Sequence, residues 1–229
     1  MIIYCMSDIH GCLNEFKDAL SLIRKQLDKP DTMLVFLGDY IHYGPDGRGV
    51  IDRIMQLQQE IGKDRLVAIL GNHEEAVIDG FSGIDNDNNA SNKASKENDK
   101  KYIEWFKTLP RYYVNGNTIF THAGIDEEAG EDWKWGTGDH IFTGKYPADI
   151  GQIPDLEMKV VAGHIGTASI SGDPAFHDIY FDGASHYYID GSVTESGVIP
   201  VLMVDTDKDK YYRVTKNGNL PIRPYCDKV

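Results

Sequence analysis

Five short polar motifs carry most of the side chains in this sequence that could act together chemically. They are Asp8-Ile9-His10-Gly11, Gly38-Asp39, Gly71-Asn72-His73-Glu74, Thr121-His122-Ala123-Gly124 and Gly163-His164. Carboxylate, amide and imidazole donors without thiolate suit Mn²⁺, Fe or Zn²⁺ rather than a calcium cage or a thiolate-seeking metal. Asp8 and His10 lie two apart on a segment that turns at Gly11, so both can face one ion. Asp39 is the sole carboxylate at the end of its apolar run and could bridge two ions, with Asn72, His122 and His164 completing the second. Neutral amide and imidazole ligands leave such a pair cationic, able to polarise phosphoryl oxygens and to supply hydroxide near neutral pH. The expected cofactor is two divalent ions, manganese first, then iron or zinc, in a metal-dependent hydrolase.

Taken singly, each motif has an ordinary explanation. A lone Asp after a strand caps a turn or a helix, and a lone His is more often satisfied by its neighbours than ligating. What distinguishes this chain is position. The motifs follow the apolar runs Ile2-Ile3-Tyr4, Met33 to Leu37, Leu66 to Leu70, Thr118-Ile119-Phe120 and Val160-Val161-Ala162. Strand carboxyl ends are where a sheet holds catalytic groups rigidly while loops open to solvent.

The elements between the motifs follow from periodicity. Leu13, Phe16, Leu20, Ile23 and Leu27 recur at spacings of three and four, as do Val50, Ile54, Leu57 and Ile61, which predicts two amphipathic helices between the first three strands. Strand, helix, strand, helix, strand predicts a parallel sheet. Tyr102, Trp105, Phe106 and Leu109 predict a short helix ended by Pro110. Beyond it come short strands at 112–114, 118–121, 160–162, 177–181, 187–190, 200–205 and 211–214, separated by turn residues, which predicts a second, largely antiparallel sheet. The fold class expected is α/β, with two mixed β-sheets packed as a sandwich and helices on the outer faces, in one domain spanning 1–229. Residues 82–99, rich in Asn, Asp, Ser and Lys with Ile84 as the only large apolar residue, read as a mobile polar surface insertion.

Composition narrows the function. With 36 acidic against 23 basic side chains the formal net charge is −13, so phosphate backbones are repelled and nucleic acid is not an expected partner. Cys5, Cys12 and Cys226 are too few and too irregular for a disulfide framework or a zinc knuckle. No apolar run approaches the ~20 residues needed to span a bilayer, and Met1 to Cys5 is too short for a signal peptide. The expectation is a cytoplasmic protein with no membrane partner.

Asp8-Ile9-His10-Gly11, Gly38-Asp39-Tyr40, Gly71-Asn72-His73-Glu74, His122-Ala123-Gly124 and Gly163-His164 together resemble the signature of the calcineurin-like metallophosphoesterases. Within them the chain is similar to the phosphoprotein phosphatase branch, which includes bacteriophage lambda-type protein phosphatases and symmetrical diadenosine tetraphosphatases. Tyr188 to Ser192 also resembles that branch's late strand segment. The resemblance implies a sandwich of two sheets and a dinuclear site, with Asp8, His10 and Asp39 on the first metal and Asp39, Asn72, His122 and His164 on the second. It implies in-line attack on phosphorus by a metal-activated hydroxide, with His73, beside Asn72 but not ligating, protonating the leaving oxygen. Glu74 is expected to be structural.

The chain departs from the family pattern at two places. Gly-Asp-x-x-Asp-Arg-Gly becomes Gly38-Asp39-Tyr40-Ile41-His42-Tyr43-Gly44, so the carboxylate that orients the acid histidine is His42 and the phosphate-gripping arginine is Tyr43. A second phosphate arginine, expected near Trp133 to Thr137, is also missing. Neither Tyr nor Thr replaces a bidentate guanidinium. His42 and His73 could form a two-histidine relay. Arg48, between Gly47 and Gly49, either reaches toward the site in compensation or simply opens the next helix. Three functions stand open. The first is hydrolysis of phosphate monoesters, including phosphorylated serine, threonine or tyrosine in proteins. The second is a nucleotide-directed hydrolase for dinucleoside polyphosphates or phosphodiesters, in which Tyr40, Tyr43, Trp133 and Trp135 could stack a base. The third is a metal-binding scaffold with little catalysis.

Overall fold

The computed structural model describes residues 1–84 and 93–226. One sheet is built first from β1 (Ile2–Met6), β2 (Thr32–Phe36) and β3 (Leu66–Ala68), all parallel. Helices α1 (Leu13–Ile23) and α2 (Gly47–Ile61) make the crossovers. Alternation sorts the side chains to the two faces. Tyr4, Met6, Leu34 and Phe36 pack against Phe16, Leu20, Ile23, Val50, Ile54 and Leu57 of the helices. Ile3, Cys5, Met33 and Val35 face the other way, onto Phe120, Val161, Tyr187 and Leu202. Phe16 is fully sealed, edge-on to Phe36 with centroids 5.4 Å apart, so truncating it to alanine would cost about 3–5 kcal/mol.

After α3 (Asn72–Ile78) and α4 (Lys93–Phe106) the chain enters β4 (Tyr112–Asn115) and β5 (Thr118–Thr121). Helices α5 (Trp133–Gly136) and α6 (Asp139–Gly144) lead to β6 (Lys159–Ala162), and α7 (Thr167–Ser171) to β7 (Tyr180–Phe181) and β8 (His186–Tyr188). These strands form the second sheet in the order β4-β5-β6-β8-β7. After α8 (Val193–Ser196) the chain ends in β9 (Leu202–Asp205), β10 (Lys210–Thr215) and β11 (Gly218–Pro221). These return to the first sheet, β9 antiparallel to β1, giving the order β11-β10-β9-β1-β2-β3. The two sheets share an apolar core, and helices cover the outside.

Three expectations change here. The second sheet is mixed rather than largely antiparallel, because β5 and β8 both run parallel to β6. The last strands belong to the first sheet, since the alternation of Leu202, Met203 and Val204 fits an edge of either sheet and only tertiary pairing chooses β1. Helix α4 begins at Lys93, so residues 93–99, read from sequence as part of an aperiodic insertion, are helical. The remaining part of that insertion, 85–92, lies outside the described residues. Among the described residues no helix is long and apolar enough to cross a membrane.

A buried polar cluster ties the second sheet to its outer layer. His186 on β8 places Nδ1 3.2 Å from Asp182 Oδ2 and Nε2 3.2 Å from Glu127 Oε1. Lys145 joins Glu127 and reaches Asp149 at 2.6 Å, while donating to the Ile125 carbonyl. Burial raises the Asp182 carboxyl, but hydrogen bonds from His186 and from the N–H groups of Gly151, Ala184 and His186 outweigh it and hold it at about 2.

Candidate metal centre

The loops that leave β1, β2, β3, β5 and β6 converge at one end of the sandwich. Their backbone is unusually contorted. Among the described residues nine non-glycines have positive φ, and Asp8, His10, Asp39, His42, Tyr43 and His164 are six of them, at 46° to 68°. A left-handed backbone costs a side-chain-bearing residue roughly 1–2 kcal/mol, and here it turns all of these but the exposed Tyr43 inward. Close approach demands glycine beside them: a Cβ on Gly71 would strike Asp39, and one on Gly163 would strike Ser7 and Asp8.

Glu74, fully buried, holds the second loop in shape. Its carboxylate accepts from the N–H groups of Asp39 (2.9 Å), Tyr40 (2.8 Å) and Gly71 (3.2 Å). Asp39 is then presented at the centre. Its Oδ2 lies 3.7 Å from both His10 Nε2 and His73 Nε2, and its Oδ1 lies 3.5 Å from His122 Nε2. Two three-residue donor groups share this carboxylate: His10, Asp39 and His73, and Asp39, His122 and His164. Asn72 Oδ1 stands 2.9 Å from His122 Nε2 and 3.1 Å from His164 Nδ1.

Proton bookkeeping tests whether these donors suit a cation. His10 Nδ1 is 3.0 Å from the Ile41 carbonyl and His122 Nδ1 is 2.8 Å from the Leu37 carbonyl. A carbonyl only accepts, so each Nδ1 carries the hydrogen and each neutral ring turns the Nε2 lone pair inward, toward the Asp39 carboxylate. Lone pairs and carboxylate oxygens 3.5–3.7 Å apart with no hydrogen between them repel. A divalent cation removes that conflict, and backbone carbonyls on the far nitrogen are the usual way a ligating imidazole is oriented. The residues fit the group.

The electrostatics agree. Burial pushes the Asp8 and Glu74 carboxyls each up to about 7, against hydrogen bonds that favour the charged forms. Asp39 is raised by burial and then by Glu74 and Asp8. Asp190, at the end of β8, reaches about 8 through burial and then the neighbouring Asp8. The imidazoles of His10, His122 and His164 are lowered, each by burial first, and His73 falls to about 3 by burial and then by His10, His42 and His164. Acids that resist charge and bases that resist protons are a donor set that a divalent cation would stabilise.

The other residues singled out from sequence divide. Asp8 Oδ1 is 4.0 Å from His10 Nε2, and Asp8 accepts from the Ser7 hydroxyl and the His164 N–H, yet it is absent from both three-donor groups. His42 Nδ1 meets His73 Nδ1 at 2.5 Å. Arg48 is paired with Asp99 of α4, at 2.8 and 3.0 Å to its two oxygens, as the opening residue of a helix would be. Tyr40 is core, its hydroxyl donating to the Phe36 and Ile69 carbonyls, and Trp133 is core beside Phe142. Both are thereby removed from any base-stacking surface. Tyr43 differs: it is 65% exposed, with its ring edge-on to His10 at 5.0 Å and His73 at 5.1 Å. Asp190 escaped notice as a contributor, although a buried acid at a strand end, in Ile189-Asp190-Gly191, was the available signal.

Known proteins with similar sequences and folds point the same way. The chain is 27% identical over 128 residues to the symmetrical bis(5'-nucleosyl)-tetraphosphatase of Nitrosospira multiformis, covering 55% of this chain and 44% of that protein. It is 32% identical over 155 residues to the protein of the same name from Wigglesworthia glossinidia brevipalpis, covering 62% and 49%. The chain thus spans about half the length of the curated relatives it matches. In fold it is similar to the cold-active protein-tyrosine phosphatase of a psychrophilic Shewanella, with TM-score 0.66 and 14% identity over 97% of this chain and 80% of that one. A protein serine/threonine phosphatase from Saccharomyces cerevisiae superimposes with TM-score 0.62 and 15% identity over 99% and 82%. At these identities the two structures speak to fold alone. The strand-end motifs all fall within residues 1–195, the stretch that matches the calcineurin-like phosphoesterases, and the chain belongs to that family.

Proposed function

We propose that this chain is a metal-dependent phosphoric ester hydrolase directed at nucleotides. Divalent cations held by the two donor groups would supply the charge that polarises a phosphoryl oxygen and lowers the pKa of water. The chain's own contribution is orientation. Glu74 fixes the Asp39 loop, and the carbonyls of Ile41 and Leu37 fix the tautomers of His10 and His122.

The observation that carries the nucleotide reading is Tyr43. Where the family places a guanidinium, this chain offers an exposed aromatic ring against two site histidines. Arg48 is engaged by Asp99, and Arg111 by Glu75 and Asp139. A terminal phosphate dianion therefore finds no arginine to neutralise it among these, whereas a phosphodiester or anhydride carries less charge at the reacting phosphorus and brings a base that can stack. Base stacking on an aromatic side chain is worth about 1–3 kcal/mol. The similarity to symmetrical bis(5'-nucleosyl)-tetraphosphatases supports the same reading.

The test is a substrate panel with Mn²⁺: para-nitrophenyl phosphate, its bis-ester, a phosphoserine peptide and diadenosine tetraphosphate. The expected order places the dinucleotide or bis-ester above the monoesters in kcat/KM. Tyr43→Ala should raise KM for diadenosine tetraphosphate about 5- to 150-fold, from that stacking energy, and leave the phosphoserine peptide unaffected. Preference for the monoesters would return the function to a phosphomonoesterase. No turnover despite bound metal would leave the scaffold reading.

A further inference from the structure

Beyond the metal donors, their loops continue into the walls of a cavity of about 310 Å³. Cys12 follows His10 by two residues, Pro45 and Asp46 come just after Tyr43, and Val193 stands three residues beyond Asp190. Consecutive Cα atoms are about 3.8 Å apart, so the wall at Cys12 begins within about 8 Å of the Cα of His10. The loops are locked together at this place. The Gly44 N–H donates to the His10 carbonyl at 2.7 Å, and the Asp46 N–H to the Gly11 carbonyl at 3.0 Å. A Cβ on Gly44 would strike that His10 oxygen, so glycine is what lets the chain pass from the Tyr43 ring to the cavity wall.

The lining selects by charge. Leu13, Pro45 and Val193 give apolar walls, Glu15 and Asp46 supply carboxylates, and among the described residues that line the cavity there is no lysine, arginine or histidine. A phosphate would meet two anions there and no cation. A neutral group that donates hydrogen bonds is what carboxylates on apolar walls can hold. Asp46 is committed to capping α2, accepting from the Gly49 N–H at 2.8 Å. Glu15 is not committed. Half-buried in the first turn of α1, it makes no hydrogen bond or ion pair among the described residues. It faces the same wall as Cys12, whose thiol is pushed up by burial and then by the Glu15 charge.

We propose that this cavity is a nucleoside subsite, in which the apolar walls flank a base and the Glu15 carboxylate accepts from the 2′- and 3′-hydroxyls of its ribose. Two neighbouring hydroxyls match the two oxygens of one carboxylate, and an acidic side chain on the ribose is how dinucleotide-binding folds read that sugar. The volume lies at the lower end of small-molecule sites, about 300–1,000 Å³, which suits one sugar and base. A dinucleotide has two such ends. Tyr43 addresses one, and the cavity two residues further along the same loop takes the other. Glu15 then sets specificity for the sugar.

This inference rests on the nucleotide reading above, and the experiment separates their failures. Wild type, Glu15→Ala, Glu15→Gln and Thr194→Trp, each with Mn²⁺, would be assayed on diadenosine tetraphosphate and on its counterpart built from 2′-deoxyadenosine. Wild type should favour the ribose substrate about 10-fold in kcat/KM, as expected of a hydrogen bond to a charged acceptor. Glu15→Ala should abolish that preference, whereas a merely structural Glu15 would slow both substrates alike. Glu15→Gln keeps the shape and one acceptor oxygen and should retain part of the preference. Thr194 is an exposed lining residue, and Thr194→Trp should fill the cavity and raise KM for both substrates about 10-fold, with the loss in KM rather than kcat. Far-UV circular dichroism and Mn²⁺ content matching wild type would show that the variants fold. If wild type hydrolyses neither dinucleotide, the nucleotide reading fails and the subsite with it. If wild type hydrolyses both equally well, or folded Glu15→Ala keeps the ribose preference, the cavity does not hold the sugar while the nucleotide reading stands.

Discussion

The nest around Asp39 and the cluster around His186 bury much the same kinds of side chain and balance them in opposite ways. Around His186, donors and acceptors alternate: both ring nitrogens face carboxylate oxygens, Lys145 is shared by Glu127 and Asp149, and backbone N–H groups saturate Asp182. Around Asp39, imidazole nitrogens without hydrogens face carboxylate and amide oxygens. The first arrangement already holds a cation, the Lys145 ammonium. The second is finished only by something positively charged. Burial and charge alone do not distinguish a structural cluster from a binding site; the placement of hydrogens does.

Several measurements probe the difference between the two regions. The largest effect is expected from Asp39→Asn, which removes the carboxylate common to both donor groups. Mn²⁺ binding should weaken by at least 100-fold for both ions, measured by calorimetry, with turnover lost alongside it. A milder version uses the wild-type protein. Mn²⁺ at 100 times its dissociation constant should raise the unfolding free energy by about 2.7 kcal/mol for each ion bound, and Asp39→Asn should show no such gain.

The His186 cluster should behave in reverse. Asp182→Asn should leave metal content untouched and cost about 2 kcal/mol of stability at pH 7, because the native carboxyl titrates near 2 rather than 3.8. A carboxyl whose native pKa is depressed stabilises fully above its unfolded value and loses that contribution as pH falls through the native one. The gap between wild type and Asp182→Asn, read from denaturant midpoints, should therefore be constant above about pH 5 and close between pH 4 and 2. Arg48→Ala gives the smallest effect. Its pairing with Asp99 is partly exposed, so about 1 kcal/mol or less is expected, with kcat and KM unchanged. A raised KM would show that Arg48 reaches substrate after all.

Much of the architecture could be read from sequence because two periodicities were clear. The three-and-four spacing of Phe16, Leu20 and Ile23 specifies α1, and the apolar runs ending at Asp8, Asp39 and His122 specify strands with polar ends. Convergence of Asp39, Asn72, His122 and His164 follows from that pattern. What was not legible depends on partners remote in sequence. Arg48 finds Asp99, 51 residues away, and His42 joins His73 to the Gly83 carbonyl. Tyr40 and Tyr43 are three residues apart with opposite fates: two carbonyls claim the hydroxyl of Tyr40 inside the core, and a positive φ swings Tyr43 out. The return of β9 to the first sheet was hidden because its alternation matches either sheet.

The contorted loops carry an evolutionary consequence. Six reactive or flanking side chains occupy a backbone region in which glycine would sit at ease. Laboratory selection for heat resistance alone would be expected to convert some of these positions to glycine, gaining robustness while discarding the donors. Asp, His and Tyr at those positions exchange some robustness of the fold for the donors presented at that end of the molecule.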